Sequence, residues 1–285
     1  MNALRQESVR VQTAPPLPLS CFLITKNEAD RIRRTLTAVK DWVTDLVVVD
    51  CGSTDHTCDI ARELGARVIH HDWEGFGAQK SFAESQCTQD WVLNIDADEV
   101  VSPALADEIR ALFAAGAPQL PAYALRILDV YPGAEQPRLW ADDYVQPRLY
   151  DRRSVRFDPS PVHDSLRLEG VRPGRLRGPV LHFSVRSMDD HFHKSLERAR
   201  YSAAHSRLKS PMALRLRLVT EFPMAFLRYY VWRRHFTGGL TGFQVAVSAA
   251  FGRFARIALM LERNRSAAEP DLAQSASALR ERRRG

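Results

Sequence analysis

Two aspartates one residue apart, Asp96 and Asp98 in Asn94-Ile95-Asp96-Ala97-Asp98-Glu99, directly follow a short apolar run. Carboxylates at this spacing can hold a hard divalent cation from one side and leave positions for diphosphate oxygens. Such a cation offsets the charge that builds on a departing nucleotide diphosphate. Pairs of this kind also cap helices or sit in turns, so their place in the fold decides between the two readings. A second cluster, Val49-Asp50-Cys51-Gly52-Ser53-Thr54-Asp55, packs a strand end, an acid, a glycine turn and a helix start into seven residues. Either Asp50 accepts a hydrogen bond from a base or ribose, close to Thr25-Lys26-Asn27-Glu28, or this is a tight loop in which Ser53 or Thr54 caps the helix.

The elements around these clusters place them together. Ser20–Thr25 and Leu46–Asp50 are short, almost wholly apolar runs, as expected for strands covered on both faces. Arg67–His70 and Trp91–Ile95 read as two further strands. Helices are expected over 28–40, from about Thr54 to Gly65, over 78–87 and over 103–113, the last with proline in its first turn. Repeated β-α-β units imply right-handed crossovers and a mainly parallel sheet. Thr25, Asp50, Asp96 and Asp98 then fall at the carboxyl ends of the strands, the edge where open α/β sheets bind ligands. From Tyr123 to His182 alternation and prolines suggest mixed or antiparallel strands, and helices return over roughly 189–208, 212–234 and 240–262.

Taken together, Ile24-Thr25-Lys26-Asn27-Glu28, Val48-Val49-Asp50-x-Gly52-Ser53-x-Asp55-x-Thr57 and Asp96-Ala97-Asp98-Glu99 resemble the GT-A-fold family 2 glycosyltransferases. Trp73-Glu74-Gly75-Phe76-Gly77-Ala78-Gln79-Lys80 and Val162-His163-Asp164 are similar to the branch of lipopolysaccharide core glycosyltransferases of the WaaE/KdtX type. The resemblance covers about residues 18–262. It implies a GT-A-type α/β fold and a UDP-sugar donor with Mg²⁺ or Mn²⁺, and hexose transfer with inversion to a glycolipid, the lipopolysaccharide inner core. Thr25, Asn27, Glu28, Ser53 and Asp55 would then line the nucleotide pocket, with Asp50 facing the uracil. Lys80 would reach the donor phosphates, Asp96 the ribose or metal, and Asp98 would be the principal metal ligand. Inversion needs one base to take the acceptor's proton. The usual member has His-Glu where this chain has His163-Asp164, which keeps a carboxylate but shortens its reach by one methylene. Asp164 is the first candidate base and Asp143 the second. His163 and His182 each offer the metal shell an imidazole nitrogen, or else play a hydrogen-bonded structural role.

Composition narrows the rest. Of 285 residues 45% are apolar and 26% charged, as in a globular protein. Four cysteines without paired spacing suggest reduced thiols in the cytoplasm, neither a zinc site nor a disulfide framework. No apolar run follows the N-terminus and none reaches ~20 uninterrupted residues, so neither a signal peptide nor a simple transmembrane helix is expected. The net charge of +6 is uneven: residues 205–265 carry eleven Lys/Arg against two acids, +9, and the remainder is −3. Aromatic residues interleave with those arginines, and Leu240, Phe243, Val247, Phe251, Phe254, Ile257 and Leu261 share one helix face. That composition suits a peripheral enzyme on anionic lipid at the cytoplasmic face of the inner membrane, or else two helices packed on the sheet domain. No nucleic-acid reading motif appears. The expected organisation is a lead-in over 1–18, a GT-A-like domain over 19–185 (nucleotide half 19–115, acceptor half 116–185), a membrane-surface helical segment over 186–264 and a disordered tail over 265–285. Two rivals are a sugar-nucleotide nucleotidyltransferase, which would carry a glycine- and arginine-rich loop after the first strand, and a non-catalytic membrane-surface scaffold.

Overall fold

The computed structural model describes residues 15–160, 165–207 and 210–282, with side chains through residue 265. The chain divides into two compact units, Met1–Leu128 with Asp143–His182, and Asp129–Asp142 with Phe183–Gly285. The helical unit therefore begins three residues before the expected boundary and also claims 129–142, a segment assigned by sequence to the acceptor half.

Among the described residues the first unit holds ten strands: β1 Leu17–Thr25, β2 Val43–Asp50, β3 Arg67–His70, β4 Trp91–Asn94, β5 Glu99–Val101, β6 Ala122–Asp129, β7 Asp143–Asp151, β8 Arg156–Phe157, β9 Leu166–Arg167 and β10 Gly174–His182. Its helices are α1 Ile32–Thr37, α2 Thr57–Glu63, α3 Phe76–Ser85 and α4 Pro103–Phe113. Eight strands form one sheet in the order β3-β2-β1-β4-β7-β6-β10-β5, while β8 and β9 pair separately. The β3-β2-β1-β4 half is parallel, and β4–β7, β6–β7 and β10–β5 are antiparallel. This is a GT-A-like mixed sheet with flanking helices.

Period-two alternation distributes the core over both sheet faces. Leu19, Cys21 and Leu23 of β1 join one apolar cluster with Ile32 and Leu36 of α1, whereas Phe22 joins the other with Ala83 of α3. Helix α4 follows its sequence signals: Ser102 caps it by accepting from Leu105 N at 3.2 Å, Pro103 starts it, and Leu105 and Ile109 are buried. Gly178 lets β10 approach that helix, since a β-carbon there would meet the Leu105 backbone. Two expectations need correction. The helix proposed over 28–40 shrinks to the six residues of α1, because Glu28–Arg31 form a turn whose backbone serves the neighbouring loop. Residues 99–101, unforeseen as a strand, pair with β10.

In the second unit α5 spans Met188–His205, α6 Pro211–Leu227 and α7 Gly239–Arg282, with a π-helical turn at Arg228–Trp232 and a 3₁₀ turn at His235–Gly238. Where a disordered tail was expected from residue 265, the backbone continues as helix to Arg282. The stretch 235–265 is long and apolar enough to cross a membrane by length and composition, although polar residues such as Gln244, Ser248 and Arg253 interrupt it. Part of it is covered: Ala246, Ala250, Ile257 and Met260 are buried, and Ile257 and Met260 pack with Ala203 of α5 and Leu214 of α6, while Leu240, Phe243 and Phe251 are exposed. Small residues let α7 come close to α5, with Gly252 against the Ser195 backbone and Ser248 Oγ 2.7 Å from His191 Nδ1.

One buried carboxylate ties the parallel strands. Asp45 of β2 accepts from Ser20 Oγ (2.8 Å), Thr88 N (2.8 Å) and Arg67 Nε (3.0 Å). Burial opposes its ionisation, but these donors outweigh burial and hold its carboxyl below the ordinary range. A lowered folded-state pKa means this stabilisation is complete above the unfolded carboxylate value and is lost as pH falls through the folded one. Asp45→Ala is expected to cost about 3 kcal/mol in urea unfolding at neutral pH, a deficit that shrinks in strong acid.

Candidate functional site

Strands β1 and β2 end side by side, and their loops are stitched together by the residues that stood out in sequence. Asn27 N donates to Ser53 Oγ (2.8 Å), Thr54 N to Asn27 Oδ1 (2.8 Å), Glu28 N to Thr57 Oγ1 (2.8 Å) and Ala29 N to Asp55 Oδ2 (3.2 Å). Asn27 takes φ +55°, the left-handed region that asparagine tolerates best among residues with a β-carbon, and Gly52 takes +93°. The Asp50 carboxylate, 4% exposed, accepts from Gly52 N (2.9 Å), Ser53 N (2.9 Å) and Ser53 Oγ. Asn27, Ser53 and Asp55 thus spend their polar atoms on the loops themselves, and the tight-loop reading of Asp50 has direct geometric support. Thr25 differs: the residue lines the cavity described below, and its hydroxyl oxygen is buried and finds no hydrogen-bond partner among the described residues. Orphaned buried polar atoms are costly and point to a missing partner.

The end of β4 carries a second cluster. Asp96 Oδ1 lies 2.9 Å from Lys80 Nζ of α3, and Oδ2 lies 2.9 Å from Arg148 Nη2 of β7. Arg148 also donates to Asn94 Oδ1 (2.6 Å) and Glu99 Oε1 (3.1 Å), and Asp96 N donates to Glu99 Oε2 (2.9 Å). Lys80, Arg148 and Glu99 are 2%, 5% and 1% exposed. Burial pushes the Glu99 carboxyl up, with Arg148 opposing, whereas for Asp96 the two cations overcome burial and hold its carboxyl far below the ordinary range.

Asp98 faces a different set: Arg31 Nη1 at 3.3 Å and His182 Nε2 at 3.6 Å. Burial raises its carboxyl pKa, but His182 and Arg31 outweigh that and lower it. Tyr144 Oη lies 3.4 Å from His182 Nδ1, leaving Nε2 toward Asp98. Asp98 and His182 present one oxygen and one nitrogen at a separation a single divalent ion can bridge. Among the described residues no group of three or more His, Cys, Asp or Glu forms a protein cage for a metal. The donor set fits Mg²⁺ or Mn²⁺ as a half-open site completed by phosphate oxygens and water. Asp96 does not fit it equally well, since both of its oxygens are already paired.

Thr25, Glu28, Lys80, Asp96, Asp98 and His182 come together around one cavity of about 560 Å³ at the carboxyl ends of the parallel strands. A larger surface groove of about 720 Å³ along α1 and α4 contains none of the candidate residues. Asp143 begins β7, accepts from Arg126 Nε at 2.6 Å and does not line the cavity. His163 and Asp164 lie outside the described residues. Sequence reasoning missed Arg148, which has no motif around it. It also passed over Trp73 and Phe76 as individual side chains, although they stood in the quoted run; they meet edge to face at 4.8 Å on the cavity wall.

Residues 20–161 match the family model described as glycosyl transferase family 2. An uncharacterized glycosyltransferase of Rickettsia prowazekii is 38% identical over 249 residues, 84% of this chain and 85% of its own. The lipopolysaccharide core biosynthesis glycosyltransferase LpsC of Rhizobium meliloti is 30% identical over 275 residues, 90% and 97% of the two chains. Among solved structures, residues 1–349 of TarS from S. aureus superpose with a TM-score of 0.43 at 15% identity, covering 87% of this chain and 91% of that one.

The Asp96–Arg148–Glu99 geometry makes a direct stability test. Arg148→Met leaves Glu99 buried without its cation and is expected to cost about 3–5 kcal/mol in urea unfolding. Adding Glu99→Gln to that variant should recover part of the loss, because the uncompensated charge is then gone.

Proposed function

The chain belongs to glycosyltransferase family 2, and we propose that it transfers a hexose from a UDP-sugar, with inversion, to a membrane glycolipid of the lipopolysaccharide inner core. Family membership replaces the nucleotidyltransferase and the non-catalytic scaffold: the protein is a glycosyltransferase. The observation that carries the finer reading is the half-open pair Asp98–His182 in the same cavity as Lys80 and the partnerless Thr25 hydroxyl. The name of the LpsC relative supports the acceptor. Four free cysteines suit the reducing cytoplasm, where the enzyme would work peripherally on the inner membrane.

In this reading Thr25 binds the nucleoside and Lys80 meets the diphosphate, while Asp96 holds the Lys80 ammonium in place. Asp98 and His182 would hold Mg²⁺ or Mn²⁺. The ion, when bound, stabilises negative charge on the departing diphosphate. An acceptor hydroxyl oxygen forms a bond to the anomeric carbon as the bond from that carbon to the diphosphate oxygen breaks. The hydroxyl proton passes to a carboxylate on the acceptor side, first Asp164 and second Asp143.

Calorimetric titration of UDP is expected to show strong binding with Mn²⁺ and much weaker binding in EDTA, since diphosphate would otherwise meet the Asp98 carboxylate unshielded. Equal affinity in both would remove the metal from this scheme. Asp98→Asn should impair binding and turnover together. Asp164→Asn should leave UDP affinity intact and lower turnover roughly 10²-fold or more. That pattern in Asp143→Asn instead would reverse the assignment of the base.

A further inference from the structure

The C-terminal part of the apolar face of α7, with Ile257 and Leu261, is turned inward while Leu240, Phe243 and Phe251 stay exposed, and α6 carries a second stripe that no described residue covers. Met212, Leu216 and Val219 are 78%, 71% and 78% exposed, and Leu227 continues the row at 53%. Their spacing of four, three and eight residues keeps them on one helical face, with Pro223 between the last two. Leu214, Glu221 and Ala225 are buried on the opposite face. The stripe is therefore a genuine outward face of a packed helix. Helix α6 is about 25 Å long at 1.5 Å per residue, long enough to lie along a surface.

The stripe ends in a tip assembled from two distant segments. Trp232, in the π-helical turn, is 85% exposed, and Trp140 is 58% exposed. Arg138, its side chain 5% exposed, fixes the second segment to the first by donating to Arg233 O at 2.8 Å. Thr237 Oγ1 donates to Leu139 O at 2.7 Å, and the Arg234 guanidinium lies 5.7 Å from the Trp140 ring centroid. Trp140 and Arg234 both adopt left-handed backbone, at φ +54° and +57°, a cost that only surrounding contacts sustain.

We propose that the α6 stripe and this tip form one surface that docks on an anionic phospholipid bilayer, an inference that rests on the membrane-glycolipid reading above. Charge selects this occupant. Arg215, Arg228, Arg233 and Arg234 are exposed along the stripe and tip, and between Glu221 and Glu262 the sequence holds no acid. Two copies meeting through this face would bring like charges together, whereas an anionic headgroup layer complements the arginines and admits the aromatic and aliphatic side chains.

The full chain should co-sediment with phosphatidylcholine vesicles containing about one-third phosphatidylglycerol, and more weakly as salt rises without vanishing. Val219→Glu should lower partitioning roughly tenfold or more while UDP affinity stays unchanged, since the stripe is remote in sequence from the nucleotide loops. A second reading does not depend on that variant's folding: brominated lipid should quench tryptophan fluorescence, and Trp232→Phe should remove much of the quenching. The inference falls if anionic vesicles are ignored at every salt concentration. It also falls if Val219→Glu and Trp232→Phe change nothing, or if the stripe instead drives a dimer that Val219→Glu dissolves. Vesicle binding without UDP binding would leave the docking surface standing and overturn the proposed reaction.

Discussion

A closed group of four charges at the end of β4 conditions the rest of the site. Lys80 and Arg148 neutralise Asp96 and Glu99; Lys80, Arg148 and Glu99 lie almost entirely out of water while Asp96 is partly exposed at the cavity, and each residue comes from or beside a different element. None of these charges is stable there alone, since an unpaired buried ion costs several kcal/mol. Helix α3, strand β7 and the β4–β5 turn are therefore held in one arrangement, on pain of leaving an ion uncompensated. The buried Tyr150–Glu84 hydrogen bond of 2.6 Å adds a second tie between β7 and α3. A rigid wall results, on which Asp98 and His182 can differ in their partners while their positions are fixed.

The parallel half of the sheet was legible because its strands are covered on both faces and so read as continuous apolar runs with polar ends. The β3 range and the α4 range agree with the sequence expectation, each bounded by turn or capping residues that leave the backbone little choice. Arg148 was not legible. Its partners arrive from β4 and β5 across an antiparallel pairing, and nothing local in Val145-Gln146-Pro147-Arg148-Leu149 distinguishes a buried arginine from an exposed one. Asn27, Ser53 and Asp55 teach the opposite lesson. Their types and spacing were conspicuous, yet their polar atoms close the loops around the cavity, so a motif residue can be indispensable to a pocket without facing it.

The helical unit shows what periodicity leaves open. An apolar helical face announces burial or exposure to another apolar phase with the same pattern, and only packing separates them. On α7, Ser248 and Gly252 permit close approach of α5 and Ile257 is buried, while Leu240, Phe243 and Phe251 of the apolar face remain exposed, so one pattern serves both ends. On α6 the inward side is marked by Glu221, buried but held by Arg217 at 2.6 Å and Arg253 at 2.9 Å. Leu214 and Ala225 share that inward side while Met212, Leu216 and Val219 point outward, so polarity alone does not tell the two faces of this helix apart.

Asp96 and Asp98 make the same point at the scale of one motif. Sequence treats the two acids as interchangeable partners in a clamp, but residues two apart at a strand end need not share surroundings. Asp96 falls between the ammonium of α3 and the guanidinium of β7, where both oxygens are paired and the carboxylate is fixed as an anion. Asp98 falls opposite His182, and its neighbours Arg31 and His182 stand farther off, at 3.3 and 3.6 Å. An incoming divalent ion competes with weaker contacts at Asp98 than at Asp96, and it gains an imidazole there as well. The two acids thus divide between holding the site together and offering it to a ligand, a division set by what faces each side chain rather than by their spacing.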